Sequence, residues 1–141
     1  MSKVAVVYWS GTGNTEAMAN AVIEGIKAAG GEGELIQAAD FGPDKMDAYD
    51  AIAFGCPSMG AEQLEESEFE PMFASCESKL SGKKIALFGS YGWGDGEWMR
   101  NWQETCQNDG AYLACDFVIC NDAPNDDALS ACQALGQALA F

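Results

Sequence analysis

A run of small polar residues, Ser10-Gly11-Thr12-Gly13-Asn14-Thr15, follows a short apolar segment near the start of the chain. It leads directly into a stretch in which Met18, Val22 and Ile26 recur with helical spacing. The first turn of a helix has unpaired backbone N–H groups and a partial positive charge, so a phosphate binds there readily. An ordinary helix cap needs one such polar side chain, and four fall in these six positions. The run therefore predicts a phosphate site in preference to a simple cap.

The residues around this run indicate which phosphate it could hold. A nucleoside triphosphate loop would end in GK[ST], and no lysine follows here before Lys27. A dinucleotide fingerprint would need glycine where Glu16 stands, and that carboxylate would crowd a pyrophosphate. What remains is a monophosphate held by neutral donors.

Two further loops carry side chains suited to a flat ring. Trp93 stands between two glycines in the segment Ser90-Tyr91-Gly92-Trp93-Gly94, without a helical neighbour to pack against. Its most economical role is as a stacking platform, with Met59 as an apolar wall opposite, and the alternative is a tryptophan folded onto the surface. Glu62 could accept a hydrogen bond from a ring N–H, although a lone loop glutamate is more often solvated.

The elements that must position these loops alternate along the chain. Strands are predicted at Lys3–Trp9, Gly33–Gln37, Ala51–Gly55, Lys84–Ser90 and Tyr112–Cys120. Four stripes with helical spacing accompany them: Met18, Val22, Ile26; Phe69, Met72, Phe73, Cys76, Leu80; Met99, Trp102, Cys106; and Leu129, Cys132, Leu135, Leu139. The segment from Ala38 to Tyr49 fits either a helix or a loop.

This alternation predicts an α/β fold, a three-layer sandwich around a five-stranded parallel sheet. Right-handed crossovers narrow it to the doubly wound class, in which ligands bind beyond the carboxyl ends of the strands. The sequence contains no linker, low-complexity stretch or repeat, so we expect residues 1–141 to form a single domain.

Composition narrows the classes of partner. Twenty-two acidic and seven basic residues give a formal net charge of −15, and residues 101–141 contain no Lys or Arg. Nucleic acid and anionic membranes are poor partners for such a surface, and basic patches of other proteins are better ones, although the charge could serve solubility alone.

We see neither an opening signal peptide nor the roughly 20 apolar residues of a membrane span, and expect a cytoplasmic protein.

The six cysteines have no CxxC spacing, and the chain has no histidine to complete a mixed metal site. We therefore expect no metal and reduced thiols that act mostly as small buried hydrophobic side chains. Cys56 alone lies in a predicted functional loop.

Three motifs together resemble the short-chain flavodoxins of anaerobic bacteria: the Ser10–Thr15 run, the Met59-Gly60-x-Glu62 turn and the Gly89-Ser90-Tyr91-Gly92-Trp93-Gly94 segment. They occur in the family's order and spacing, and the likeness covers essentially the whole chain. The fifth strand runs to Asn121-Asp122-Ala123-Pro124 without the inserted loop of the other branch. The resemblance implies a flavodoxin-like fold with sheet order 2-1-3-4-5 and FMN as a non-covalent cofactor.

The resemblance also implies roles for individual residues. Trp93 would stack on the outer face of the isoalloxazine, Met59 would cover the inner face, and Glu62 would accept from flavin N3–H. Backbone groups around Gly92 would meet the pyrimidine edge, and the polar side chains of Ser10, Thr12, Asn14 and Thr15 would bind the phosphate. Ala61 stands where the family often carries an acid. The expected cofactor-binding residues are Ser10, Gly11, Thr12, Gly13, Asn14, Thr15, Ser58, Met59, Gly60, Ala61, Glu62, Ser90, Tyr91, Gly92, Trp93, Gly94, Asn121 and Asp122.

The function implied is a low-potential one-electron carrier that shuttles mainly between flavin semiquinone and hydroquinone, substitutes for ferredoxin and has no catalytic residues. The Gly60 carbonyl would turn toward flavin N5, because glycine tolerates that rotation. The implied partners are redox enzymes with basic docking surfaces: 2-oxoacid oxidoreductases, flavin reductases, and hydrogenase or nitrogenase type acceptors. We expect a monomer, with basic partners steered by Glu62, Glu65, Glu66, Glu68 and Glu70.

Two other functions share this type of fold. An FMN-dependent NAD(P)H:quinone reductase would need a nicotinamide pocket, and we see no basic residue near the loops to hold a dinucleotide phosphate. A phosphoacceptor receiver domain would need acids after the first and third strands, where Ser10 and Cys56 stand, and a late lysine. The reductase stays as the alternative, and the receiver domain is discarded.

Overall fold

A computed structural model describes residues 2–59, 63–92 and 94–140 of the chain. Its strands are β1 (Lys3–Tyr8), β2 (Glu32–Gln37), β3 (Ala51–Gly55), β4 (Lys84–Tyr91), β5 (Tyr112–Leu113) and β6 (Val118–Asn121). Its α-helices are α1 (Asn14–Ala28), α2 (Phe69–Cys76), α3 (Glu97–Asn108) and α4 (Asp126–Ala140). All strand pairs are parallel, and the sheet order is β2-β1-β3-β4, with β5 and β6 both paired to β4. The predicted doubly wound fold and its strand order are confirmed.

The predicted fifth strand, Tyr112–Cys120, is interrupted, which corrects the sequence-based expectation. β5 pairs with the first two residues of β4, and β6 pairs with its last four. Residues 114–117 between them belong to neither strand, and the exposed Asp116 falls in this break. Continuous pairing is less strongly required here because the segment lies at the edge of the sheet, where no further strand depends on it.

The ambiguous segment between β2 and β3 forms two short 3-10 helices, Ala38–Asp40 and Pro43–Ala48. Phe41 and Gly42 separate them, and Pro43 begins the second one, since proline starts a helical turn readily. Lys83 stabilises the end of the second 3-10 helix. Its Nζ donates hydrogen bonds to the carbonyl oxygens of Met46, at 2.9 Å, and of Tyr49.

Helices cover both faces of the sheet, so the central strands are buried on both sides. In β1, Val4 and Val6 face a core shared with α1 and α4, and Ala5 and Val7 face a core shared with α2 and α3. This is why the strand reads as a continuous apolar run and not as an alternating one. Among the described residues, no helix combines the length and apolar character needed to cross a membrane.

Helices α1 and α4 approach each other closely at two glycines. A Cβ at Gly25 would lie 1.9 Å from the Gln133 carbonyl oxygen, and one at Gly136 would lie 2.2 Å from that of Val22. Only glycine permits this backbone contact. The contact fixes α1, and therefore its first turn, against the sheet.

Candidate functional site

The carboxyl ends of four strands meet around one cavity of about 230 Å³. The loops after β1, β3, β4 and β6 all contribute to its lining, as the doubly wound fold predicts. The lining residues are Trp9, Gly11, Thr12, Asn14, Thr15, Pro57, Ser58, Met59, Ser90, Tyr91, Gly92 and Asp122. Ten of the predicted site residues are thereby brought together, and Trp9 and Pro57 are additions that sequence reasoning missed.

The remaining predicted residues fall in three groups. Ser10 and Gly13 line a neighbouring cavity of about 380 Å³. Gly94 and Asn121 line neither cavity, although the Asn121 side-chain amide donates to the Tyr91 carbonyl at 3.3 Å. Gly60, Ala61, Glu62 and Trp93 lie outside the described residues, so their roles stay predictions.

The Ser10 hydroxyl holds the loop after β1 in shape. Its oxygen accepts hydrogen bonds from the backbone N–H groups of Gly13, at 3.1 Å, and Glu16, at 3.3 Å. Gly13 has a φ of 95°, a left-handed conformation that favours glycine, and its carbonyl accepts the Ala17 N–H at 3.0 Å to begin α1. Ser10 therefore stabilises the turn, while its own O–H stays available as a donor.

The start of α1 presents free donors to the cavity. Within the described residues, the backbone N–H groups of Gly11, Thr12, Asn14 and Thr15 have no hydrogen-bond acceptor. Thr12 is exposed, and Thr15 is buried with its Oγ1 3.2 Å from the Ser90 Oγ. That contact uses one of the two hydroxyl hydrogens, and the other stays free to donate. Neutral donors at a helix N-terminus fit a phosphate monoester.

The electrostatic setting of this loop is acidic. No Lys or Arg lines either cavity in the described part of the chain, whereas Asp122 lines the first cavity and Glu16 and Glu68 line the second. Tyr8 donates to Glu16 through its hydroxyl at 3.2 Å. Burial, and then the hydrogen bond to and charge of Glu16, raise the pKa of Tyr8 above its ordinary value, so the phenol stays protonated.

Trp9 forms the wall between the two cavities, since it lines both. Its ring packs against Gly11, where a Cβ would lie 3.1 Å from a ring carbon. Its indole N–H donates to the Glu68 carboxylate at 3.0 Å. The predicted strand Lys3–Trp9 included Trp9 as its last residue, and the sequence held no signal that its side chain turns toward the site.

The loop after β3 is held at three points. The Ser58 N–H donates to the Ser90 carbonyl at 3.0 Å, which ties this loop to the end of β4. Met59 and Gln63 exchange two backbone hydrogen bonds, of 2.8 and 3.1 Å, as an isolated antiparallel bridge. Met59 lines the cavity and is therefore placed where an aromatic ring could pack against it.

The loop after β6 turns back toward Tyr91. The Asp122 N–H donates to the Tyr91 carbonyl at 2.7 Å, and Asp122 has a φ of 57°, unusual for a residue other than glycine. A Cβ at Gly92 would lie 3.1 Å from the Asp122 carboxylate. Glycine at position 92 therefore leaves room for this turn, and its backbone stays open to the cavity.

Cys56, at the carboxyl end of β3, is a structural residue. It is fully buried, and burial raises the pKa of its thiol to about 12, with the Glu65 N–H lowering it and the Glu65 charge raising it further. The thiol is thus protonated and unreactive at neutral pH. All six cysteines are free in the structure, and Cys115 and Cys120 are the partly exposed ones.

Glu65 does not belong with the exposed acids, which corrects the expectation for the acidic run. It is only 5% exposed, whereas Glu66, Glu68 and Glu70 are exposed. The reason is local, because the Glu65 carboxylate accepts backbone N–H groups at the start of α2.

The fold and this cleft define a doubly wound α/β protein with a phosphate-type helix N-terminus beside a groove for a second, flatter group. The family model for flavodoxin matches residues 6–135. Flavodoxin from Megasphaera elsdenii is 47% identical over 137 residues, 97% of this chain and 98% of that protein. Flavodoxin from Clostridium beijerinckii is 44% identical over 135 residues, 96% of this chain and 97% of that protein. The chain belongs to the flavodoxin family, whose members are FMN-binding electron carriers.

The three-dimensional comparison agrees with the sequence relatives. The solution structure of two-electron reduced M. elsdenii flavodoxin superposes with a TM-score of 0.90 at 48% identity, covering 97% of this chain and 98% of that chain. The residues found here fit FMN, because neutral donors at α1 suit its phosphate and the loops after β3, β4 and β6 enclose the adjoining space.

Proposed function

We propose that this protein is a low-potential one-electron carrier that uses FMN mainly between its semiquinone and hydroquinone states and replaces ferredoxin. The observation that carries the proposal is the cleft itself, which joins free neutral donors at the start of α1 to an acidic, cation-free lining. FMN supplies the redox chemistry when bound, and the protein binds it, orients it and sets its electrostatic surroundings.

The phosphate would lie at the first turn of α1. Among the described residues the backbone N–H groups of Thr12, Asn14 and Thr15 have no acceptor, so they would donate to it, and the hydroxyls of Thr12 and Ser10 would add donors. The ring would extend along Met59 and the backbone of Tyr91 and Gly92, with Trp93 on its outer face and Glu62 at N3–H, as the resemblance implies.

The charge of the protein supports a low potential for the more reduced couple. A unit charge about 10 Å from an added electron, at an effective dielectric near 20, raises its energy by on the order of 1–2 kcal/mol before salt screening. Asp122, Glu16 and Glu68 line the two cavities, and the chain as a whole carries −15. Each added negative charge in the cleft is therefore disfavoured.

An anaerobic redox titration of the FMN-loaded protein tests the proposal. We expect two separate one-electron transitions, with a blue species after the first and bleaching at a much lower potential. A single two-electron transition near the potential of free FMN would overturn it.

The alternative, an NAD(P)H:quinone reductase, has weaker support. The cavity linings described above contain no Lys or Arg to hold the phosphate of a dinucleotide. Mixing the FMN-loaded protein anaerobically with NADPH alone distinguishes the two functions. A carrier keeps its yellow colour for many minutes, whereas a reductase bleaches at once.

The same proposal extends to partners and location. Redox enzymes with basic docking surfaces fit the exposed acids Glu66, Glu68 and Glu70, of which Glu68 lines the second cavity and the other two line a groove between α2 and α3. 2-Oxoacid oxidoreductases, flavin reductases, and hydrogenase or nitrogenase type acceptors are the classes we propose, met by a monomer in the cytoplasm. Pull-down by immobilised candidate enzymes at low and high salt tests this choice.

A further inference from the structure

The carboxylate of Glu65 is buried and fully engaged at the entrance to α2. One oxygen accepts the backbone N–H groups of Glu68, at 2.8 Å, and Phe69, at 2.9 Å. The other accepts the Ser67 N–H at 2.8 Å and the Ser67 hydroxyl. Glu65 also accepts the Glu70 N–H at 2.8 Å through its backbone carbonyl. A single residue therefore receives five hydrogen bonds from the four residues 67–70.

These bonds satisfy the start of α2, which no other side chain caps in the part of the chain that the structure describes. The residue before α2 is Glu68, and its own side chain makes no capping hydrogen bond. The first N–H groups of a helix need acceptors and favour a negative charge. Burial alone would raise the pKa of the Glu65 carboxyl, but the hydrogen bonds from Ser67, Phe69 and Glu68 together lower it. Glu65 is thus a buried anion that the protein keeps ionised.

Glu65 is also tied to the end of β3 through its own backbone N–H. Its N–H donates to the Cys56 Sγ at 3.4 Å. Cys56 is itself fixed, because its N–H donates to the Phe88 carbonyl at 3.1 Å and its carbonyl accepts the Trp98 indole N–H at 3.3 Å. Glu65 therefore anchors the chain that leaves β3 to the chain that enters α2.

The cleft residue Met59 lies between these anchors. It follows Cys56 by three residues, and its partner Gln63 in the backbone bridge precedes Glu65 by two. If segment 63–69 shifts, Gln63 shifts with it and carries Met59 along through two hydrogen bonds. The loop at the start of α1 is connected to the Glu65 carboxylate less directly, through the exposed side chain of Glu68, which accepts the Trp9 indole N–H at 3.0 Å.

We propose that Glu65 is a positioning residue for the ring half of the FMN site. This inference rests on the proposed function and deepens it. The ionised carboxylate holds segment 63–69 and thereby places Met59 against the ring, while it touches the phosphate half of the site only indirectly, through the Glu68 side chain and Trp9. Glu65→Gln keeps the shape of the side chain but offers one acceptor oxygen where the carboxylate offers two.

The test compares FMN with riboflavin, which has the ring but lacks the phosphate. Binding of each to the apoprotein is measured by quenching of flavin fluorescence, for the wild type, Glu65→Gln and the matched control Glu66→Gln, which removes the same charge from an exposed neighbour. We expect Glu65→Gln to weaken both ligands by the same factor, at least tenfold, and to raise the residual fluorescence of bound FMN. Glu66→Gln should change either affinity by less than twofold.

Several results would overturn the proposal. Affinities like those of Glu66→Gln would show that the carboxylate does not position the ring site. A loss confined to FMN would place the effect at the phosphate. A lower unfolding free energy with both affinities unchanged would leave Glu65 a purely structural role. Failure of wild-type protein to bind FMN would instead overturn the proposed function, so the two failures are distinguishable.

A second measurement covers the case in which Glu65→Gln does not fold. Amide hydrogen exchange of the wild-type apoprotein is followed with and without riboflavin. The N–H groups of Glu68 and Phe69, which the carboxylate binds, should gain at least tenfold protection when the ring site is filled. Unchanged exchange at these two amides would overturn the proposal.

Discussion

The indole N–H of Trp9 donates to the Glu68 carboxylate at 3.0 Å, across 59 positions of sequence. This contact joins the residue before the phosphate-type loop to the residue before α2. Trp9 and Glu68 both line the cavity beside that loop, so their hydrogen bond forms part of the cavity wall. An exposed hydrogen bond thus connects the loop before α1 to the start of α2.

Trp9→Phe should weaken this wall while keeping an aromatic ring on Gly11. An exposed hydrogen bond to a charged group contributes little, so we expect the free energy of unfolding to fall by no more than about 1.5 kcal/mol. FMN affinity should fall a few fold. The measurement is urea unfolding and FMN titration of Trp9→Phe, Glu68→Gln and the double variant. Additive effects would contradict a direct interaction, because bonded partners should show a coupling energy.

The phosphate assignment is best tested at Thr12, which is exposed and has no structural hydrogen bond in the described region. Thr12→Val should leave the free energy of unfolding within about 0.5 kcal/mol of wild type. It should weaken FMN about tenfold and leave riboflavin unchanged, because one hydrogen bond to a charged group is lost. Equal losses for both ligands, measured by fluorescence quenching, would refute the assignment.

Thr15 serves as a contrasting position for the same experiment. It is buried, and its hydroxyl lies 3.2 Å from that of Ser90. Thr15→Val leaves the buried Ser90 hydroxyl without this hydrogen-bond partner. We therefore expect the free energy of unfolding to fall by about 1–3 kcal/mol and FMN to bind more weakly. A combined Thr12 and Thr15 variant would mix these effects, and the single variants separate them.

Much of the fold followed from sequence periodicity, whereas the ten predicted residues that line the cleft came from the polar run after β1 and from the family resemblance. Buried strands such as Ala51–Gly55 read as unbroken apolar runs, and the fold then brings the loops that follow them to one edge. The position of the Trp9 side chain in the cleft and the burial of Glu65 could not be predicted in this way. Alternation along a strand does not say how the first residue beyond it turns, and a run of glutamates does not say which one caps a helix.

The carboxyl of Glu77 makes stability depend on pH near neutrality. Burial, followed by the hydrogen bond to and charge of Asp109 and the charge of Glu70, raises the pKa of Glu77 to about 7. The charges of the same two carboxyls also act on the Cys106 thiol. Burial, and then the charges of Asp109 and Glu77, raise the pKa of that thiol to about 12. The folded protein therefore binds the Glu77 proton more tightly than the unfolded chain does. Protonation of Glu77 therefore stabilises the folded protein. This stabilisation is fully present below the unfolded pKa, about 4.5, and is lost as the pH rises through about 7.

Glu77→Gln should accordingly remove the cost of ionising Glu77 beside Asp109 and Glu70, a cost that grows as the pH rises. We expect the variant to exceed wild type in urea unfolding only slightly at pH 5 and by clearly more at pH 8. Glu104→Gln, an exposed acid on α3, controls for the change in net charge. The same difference between Glu77→Gln and wild type at both pH values would contradict the raised pKa.

Steering of basic partners is expected from the exposed acids of the run before and within the first turn of α2, without the buried Glu65. Glu66 and Glu70 are both exposed and line a groove of about 540 Å³ between α2 and α3. Charges placed near the electron exit raise the association rate more than the final affinity, and salt screens them. Neutralising both should therefore slow encounter with a basic acceptor without disturbing the cofactor.

The experiment is electron transfer from the reduced protein to cytochrome c, a basic acceptor, over a range of salt. The double variant Glu66→Gln with Glu70→Gln should react several fold more slowly than wild type at about 10 mM salt, where the Debye length is about 30 Å. The difference should vanish near about 0.5 M, where that length is only a few ångströms. The matched control, Glu32→Gln with Asp47→Asn, removes the same charge from exposed acids at the amino end of the sheet. If the control variant slows transfer as much as the cleft variant, net charge alone governs the encounter and these two acids do not steer it.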